Sequence, residues 1–170
     1  MVEDPPADKP DLEDQDATQA SGRRSGKPNP WARRKARRAL LQALYQWQMT
    51  GCDLATLKTQ FDEDASALVK ADREFFHEML GGVVRAAEAL DELYRAYLDR
   101  ELDQLDQVER ALLRLGCFEL QYRIDVPYRV VIDEYVELAK TFGAEASHKY
   151  INGILDRVAA DLRQVERGAS

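Results

Sequence analysis

The sequence predicts an all-α protein, a compact bundle of six or seven helices behind a polar N-terminal tail. Three observations carry that expectation. Apolar residues recur three and four positions apart in one segment after another, the spacing that gives a helix a single buried face. No segment sustains the alternation of a half-buried strand. Apolar residues make up 45% of the 170 residues, enough for a core that such faces can share.

Residues 1–30 hold five of the six prolines and almost no large apolar side chain. They cannot bury enough surface to offset their ordering entropy, so they are read as a disordered tail ahead of a folded domain over 31–166. Residues 31–49 contain neither Pro nor Gly and are rich in helix formers. Ala36, Leu40, Ala43, Leu44 and Trp47 form the apolar stripe of this helix. Arg34, Arg37, Arg38, Tyr45 and Gln48 recur on another side, which is expected to face solvent.

Gly51 suits the left-handed residue that ends a helix. Asp53 is a candidate cap for a short second helix carrying Leu57 and Phe61. A long helical pattern runs over 69–98, with Gly81-Gly82 inside it as a kink or a point of close approach by another helix. Residues 101–106 are acidic and read as a linker. Val108, Leu112, Leu115 and Leu120 mark the next helix. Asp125-Val126-Pro127 starts another, with Asp as cap and Pro in the first turn. That helix buries Val131, Tyr135, Leu138, Ala139 and Phe142, and Gly143 stops it. The last helix starts near Glu145 and buries Ile151, Ile154, Leu155, Val158 and Leu162. The set packs as one bundle or two small ones.

Charge divides the chain sharply. The net charge is −7, yet residues 21–38 hold eight bases and no acid. Residues 1–20 hold seven acids and one base and read as a solubilising tail, with folding back onto the arginines that follow as the alternative. A basic block in an acidic chain is a local binding surface and not a general polyanion-binding face. Arginine forks match phosphates and an aromatic ring can stack on a base, so the composition of the first helix suits RNA. A solvated charged face is the competing reading.

Catalytic and metal signatures are lacking. The chain has no glycine-rich phosphate loop, no GxSxG and no HExxH. His77 and His148 have no second His or Cys at ligand spacing and read as packing, surface or capping residues. No metal or other cofactor is expected. Cys52 and Cys117 form no CxxC pair and fit reduced thiols, with a single disulfide as the alternative. No apolar run approaches a membrane span, and the acidic N-terminus is no signal peptide, so a cytoplasmic protein is expected.

Three stretches taken together carry a family resemblance. The first is Ala32-Arg33-Arg34-Lys35-Ala36-Arg37 with Gln42-Ala43-Leu44-Tyr45-Gln46-Trp47. The second is Asp125-Val126-Pro127-Tyr128 with Ile132-Asp133-Glu134 and Glu137-Leu138-Ala139-Lys140. The third is Phe142-Gly143-Ala144-Glu145 with Ser147-His148-Lys149-Tyr150-Ile151-Asn152-Gly153-Ile154-Leu155-Asp156. In this order and spacing, over about residues 32–162, the chain resembles the NusB family of bacterial transcription antitermination factors.

The resemblance implies two three-helix sub-bundles and no enzymatic activity. It implies binding, with NusE (a small-subunit ribosomal protein), to the boxA element of nascent ribosomal RNA, within the antitermination complex of RNA polymerase. It assigns RNA contact to Arg33, Arg34, Lys35 and Arg37, with Tyr45 nearby, and to Lys149 and Tyr150. Neutralising two of the basic helix residues is then expected to weaken RNA binding and leave the fold intact. Many members carry an acid where this chain has Ala146, a place where a carboxylate would repel RNA phosphates. Two other classes share parts of the pattern. One is a helical protein-interaction module. The other is the N-terminal RNA-binding domain of some ribosomal RNA cytosine methyltransferases, which needs a second, cofactor-binding domain that these 170 residues do not contain.

Overall fold

A computed structural model describes residues 29–168. Every regular element among them is helical: eight α-helices and one 3₁₀ turn. Of the disordered tail expected over 1–30, residues 1–28 lie outside the described residues, while Asn29 and Pro30 are ordered as the start of the first helix.

Helix α1 spans Pro30–Thr50, one residue earlier than the sequence predicts. The Asn29 side chain accepts hydrogen bonds from the backbone N–H groups of Trp31 (3.0 Å) and Ala32 (3.3 Å), and Pro30 occupies the first turn, where its missing N–H costs nothing. Gly51 closes the helix at φ 65°, a left-handed conformation that a Cβ would strain. The predicted stripe of Ala36, Leu40, Ala43 and Leu44 is fully buried, and Trp47 packs against the core.

Helix α2 (Leu54–Glu63) is capped by Asp53 and buries Leu57 and Phe61. The long helix expected over 69–98 is instead two. Asp72 captures the Phe75 N–H with its side chain and donates its own N–H to Ala32 O, so α3 begins only at Arg73 (Arg73–Arg85). The chain leaves helical geometry at Ala86 (φ −102°, ψ 10°), and α4 follows (Ala87–Arg95). That bend directs Leu90, Asp91 and Tyr94 inward. The break does not fall at the glycines. Gly82 serves close approach: a Cβ there would lie 2.2 Å from the Phe118 ring of the facing helix.

The acidic linker contains the 3₁₀ turn Leu102–Gln104 and buries Leu105. Helix α5 (Gln107–Tyr122) opens with a reciprocal capping box between Asp106 and Glu109. Ala111, Leu112, Leu113, Leu115, Cys117 and Leu120 are all buried, which is the signature of a central helix. It packs against α1, α3 and α4 on one side and against α6 (Tyr128–Phe142) and α7 (Ser147–Leu162) on the other. Helices α1–α3 and α5–α7 thus form two three-helix groups around one continuous core.

Asp125 does not cap α6 as the sequence predicts; its carboxylate pairs with Arg33 (3.5 Å) and Arg123 (3.4 Å). The Tyr128 N–H is satisfied by Glu166 (2.8 Å) from the short α8 (Gln164–Gly168), an element the periodicity does not reveal. The last long helix starts at Ser147, because Ala146 lies at φ 68° and cannot be its first turn. Both cysteines are free thiols. No described helix is long and apolar enough to cross a membrane.

Candidate nucleic-acid interface

The arginines of α1 do not share one face. Arg37 is 3% exposed, and its guanidinium grips Glu119 of α5 with two parallel bonds of 2.9 and 2.8 Å. Glu119 is fully buried. Burial works against the Arg37 charge, but the hydrogen bonds and field of Glu119 outweigh it and hold the guanidinium pKa above its ordinary value. The expectation that Arg37 faces solvent is therefore corrected: its fork is committed to the core. The partner lies 82 residues away, beyond the reach of helical periodicity. Neutralising Arg37 is accordingly no longer expected to leave the fold intact.

Arg33 is likewise tied inward. It lies between Asp72 (3.8 Å) and Asp125 (3.5 Å) with its guanidinium 4.8 Å from the Phe75 ring centre. Gln48, placed by spacing on the solvent face, donates to Gln107 O (2.9 Å) and accepts from Arg114 (3.2 Å).

The outward side of α1 is Trp31, Arg34, Lys35, Arg38, Gln42 and Tyr45. Trp31, Arg34, Lys35 and Arg38 follow the i, i+3, i+4, i+7 rule, a face the sequence already offers once Trp31 is counted as helical. Arg34 is exposed, forks onto Glu134 (3.0 Å) and lies 5.2 Å from the Trp31 ring centre. The Glu134 hydrogen bond and charge raise its pKa. Lys35 and Arg38 are exposed and meet no carboxylate at ion-pair distance among the described residues. Arg38 lies 5.0 Å from the Phe142 ring centre.

Two grooves that share Phe142 continue this surface, and a third lies at the start of α7. The first, between α1 and α6, is lined by Trp31, Lys35, Arg38, Glu134 and Phe142. The second shares Phe142 and adds Gln42, Tyr45 and Val108. Tyr45 is 41% exposed. The third begins at Glu109, the neighbour of Val108, and contains Arg100, Ala146, Ser147 and Tyr150. There Ser147 Oγ donates to Glu109 (3.2 Å), whose carboxyl pKa is raised, chiefly by burial.

Lys35 thus borders the first groove, Tyr45 the second and Tyr150 the third. Lys149 is exposed on the first turn of α7. Tyr150 is half-buried, its ring lies 4.2 Å from the Arg100 guanidinium, and its hydroxyl accepts the Asp99 N–H (3.3 Å). Burial raises the Tyr150 pKa, and the adjacent Asp99 carboxylate adds to the rise. Sequence reasoning misses Trp31, Arg100 and Phe142 as members of this surface. Phe142 falls on the predicted apolar stripe of its helix, and Arg100 reaches this surface only through the fold.

No cluster of metal-ligating side chains occurs among the described residues. His77 pairs with Asp62 (2.9 Å) at the surface of α3 and meets Phe76 edge-on.

The chain matches the family model described as the NusB family over residues 34–160. It is 56% identical over 137 residues to the transcription antitermination protein NusB of Alcanivorax borkumensis, covering 81% of this chain and 91% of that relative. It is 50% identical over 135 residues to the NusB of Yersinia pestis, covering 79% and 97%. Among solved structures it is similar to T. maritima NusB, with a TM-score of 0.66 and 36% identity over 76% of this chain and 91% of that one. It is also similar to NusB in a crystal structure of the antitermination factors NusB and NusE with double-stranded RNA, with a TM-score of 0.65 and 25% identity over 76% and 97%. Fold, matched length and identity agree: the chain belongs to the NusB family of transcription antitermination proteins.

Proposed function

We propose that this chain is an RNA-binding antitermination factor. In this reading it binds boxA-type single-stranded RNA together with NusE and promotes read-through by RNA polymerase in ribosomal RNA operons. The observation that carries the reading is the pair of cations Lys35 and Arg38, which meet no carboxylate at ion-pair distance among the described residues, set among the exposed rings of Trp31 and Tyr45 in a chain of net charge −7. Phosphates gain from unpaired cations, and rings offer stacking faces to unpaired bases.

The roles divide by availability. Lys35, Arg38 and Lys149 supply phosphate contacts, and Arg34 supplies one by exchanging Glu134 for phosphate. Arg33 and Arg37 are positioning residues that fix α1 against the core. Tyr45 stacks, and Tyr150, held by Arg100, forms the far border. The reading contains no catalytic step.

The test is titration of the full chain against boxA RNA with and without purified NusE. NusE is expected to tighten RNA binding by roughly 5- to 150-fold, the usual range of a coupling between sites. An RNA affinity indifferent both to NusE and to scrambling of boxA would overturn the proposal.

A further inference from the structure

Trp31 is 69% exposed, so its indole faces are open to a ligand. Its backbone is fixed by the Asn29 cap and by Pro30, so the ring stands at a rigid helix start. One side of the ring is approached by the Arg34 guanidinium. The groove it borders has two unlike rims. Arg34, Lys35 and Arg38 of α1 line one, and Glu134, Glu137 and Phe142 of α6 line the other.

A phosphate placed deep in this groove would meet the Glu137 carboxylate beside the Arg34–Glu134 pair, whereas one on the outer rim gains from Lys35 and Arg38, and from Arg34 once it leaves Glu134. An uncharged base entering the groove gains from the ring and meets no like charge. Resting on the RNA-binding reading above, we infer that the α1–α6 groove is a single-nucleotide subsite. An unstacked base of single-stranded RNA lies on Trp31, and its flanking phosphates lie on Lys35 and Arg38. Trp31 would then be a determinant of affinity that the basic residues alone do not explain.

The chain has two tryptophans, and Trp47 packs partly buried against the core. Intrinsic emission in a Trp47→Phe protein therefore reports on Trp31 alone. Titration with a short unstructured RNA is expected to quench that emission as the RNA saturates. Trp31→Ala should weaken RNA binding roughly 5- to 150-fold, the equivalent of losing one base–aromatic stack, with the salt slope unchanged because no charge is lost. Trp31→Phe should recover most of the loss. Circular dichroism of the variants should match the parent, since the ring lies outside the core.

Two results would overturn the subsite: wild-type RNA affinity in Trp31→Ala, or RNA binding that leaves Trp31 emission unchanged. Emission already shielded from acrylamide before RNA is added, and unchanged after, would mean that the chain's own residues cover the groove, which also overturns it. If the parent binds no RNA, the RNA-binding reading fails first and the subsite falls with it.

Discussion

Glu119→Ala is expected to destabilise the fold by about 3–5 kcal/mol, because it leaves the buried Arg37 guanidinium with only the distant Glu134 carboxylate (3.9 Å). Arg37→Ala should cost a similar amount by stranding Glu119. Replacing both together, Arg37→Met with Glu119→Leu, should cost much less than either alone, since two desolvated charges leave with their pairing. Urea unfolding followed by circular dichroism measures all three. A single variant within 1 kcal/mol of the parent would show that water reaches the pair. The distinction matters for function: an Arg37 variant that loses RNA binding has first lost part of its fold, and is no evidence of an RNA contact.

Arg163→Ala should be comparably damaging. Arg163 is buried and donates to the carbonyls of Leu120 (2.7 Å), Val126 (3.0 Å), Arg123 (3.0 Å) and Glu119 (3.3 Å), and to Glu166 (2.6 Å). One side chain thus satisfies the open carbonyl end of α5 and the loop leading to α6. It also holds Glu166, which caps Tyr128. Loss of these charge-assisted bonds, each net about 1.5–3 kcal/mol with partial replacement by water, gives an expected cost of about 3–5 kcal/mol. Arg163→Lys should recover little, because a single ammonium cannot span the fork of acceptors. Thermal unfolding of the two variants checks this, and a lysine variant as stable as the parent would contradict it.

Arg37 and Arg163 also mark the limit of what the sequence makes legible. Local signals transfer well: the α1 stripe, the Gly51 stop, the Asp53 cap and the α7 stripe all rest on residues within a few positions of one another. The family resemblance is of the same kind, resting on short motifs in fixed order. The failures are nonlocal. Arg37 has the composition of a surface residue until Glu119 arrives from 82 positions away. The long pattern over 69–98 keeps its period, yet the chain bends at Ala86 to seat Asp91 against Arg114 (2.7 Å), a contact 23 residues distant. Asp125 looks like a cap and is taken instead by Arg33 and Arg123. The candidate interface follows the same rule. Its basic residues are visible as a block, but which of them pair is decided by Asp72 ahead of α3, Glu119 on α5, Asp125 ahead of α6 and Glu134 on α6.

The central claim is that Lys35 and Arg38 of α1 meet RNA phosphates. It is tested most directly by the salt dependence of RNA affinity for the parent and for Lys35→Gln with Arg38→Gln. Each lost single-strand phosphate contact should lower the log–log slope by about 0.7, so the double variant should be shallower by about 1.4 and bind more weakly at low salt, with an unchanged unfolding midpoint. An unchanged slope and affinity in a folded double variant would contradict the claim.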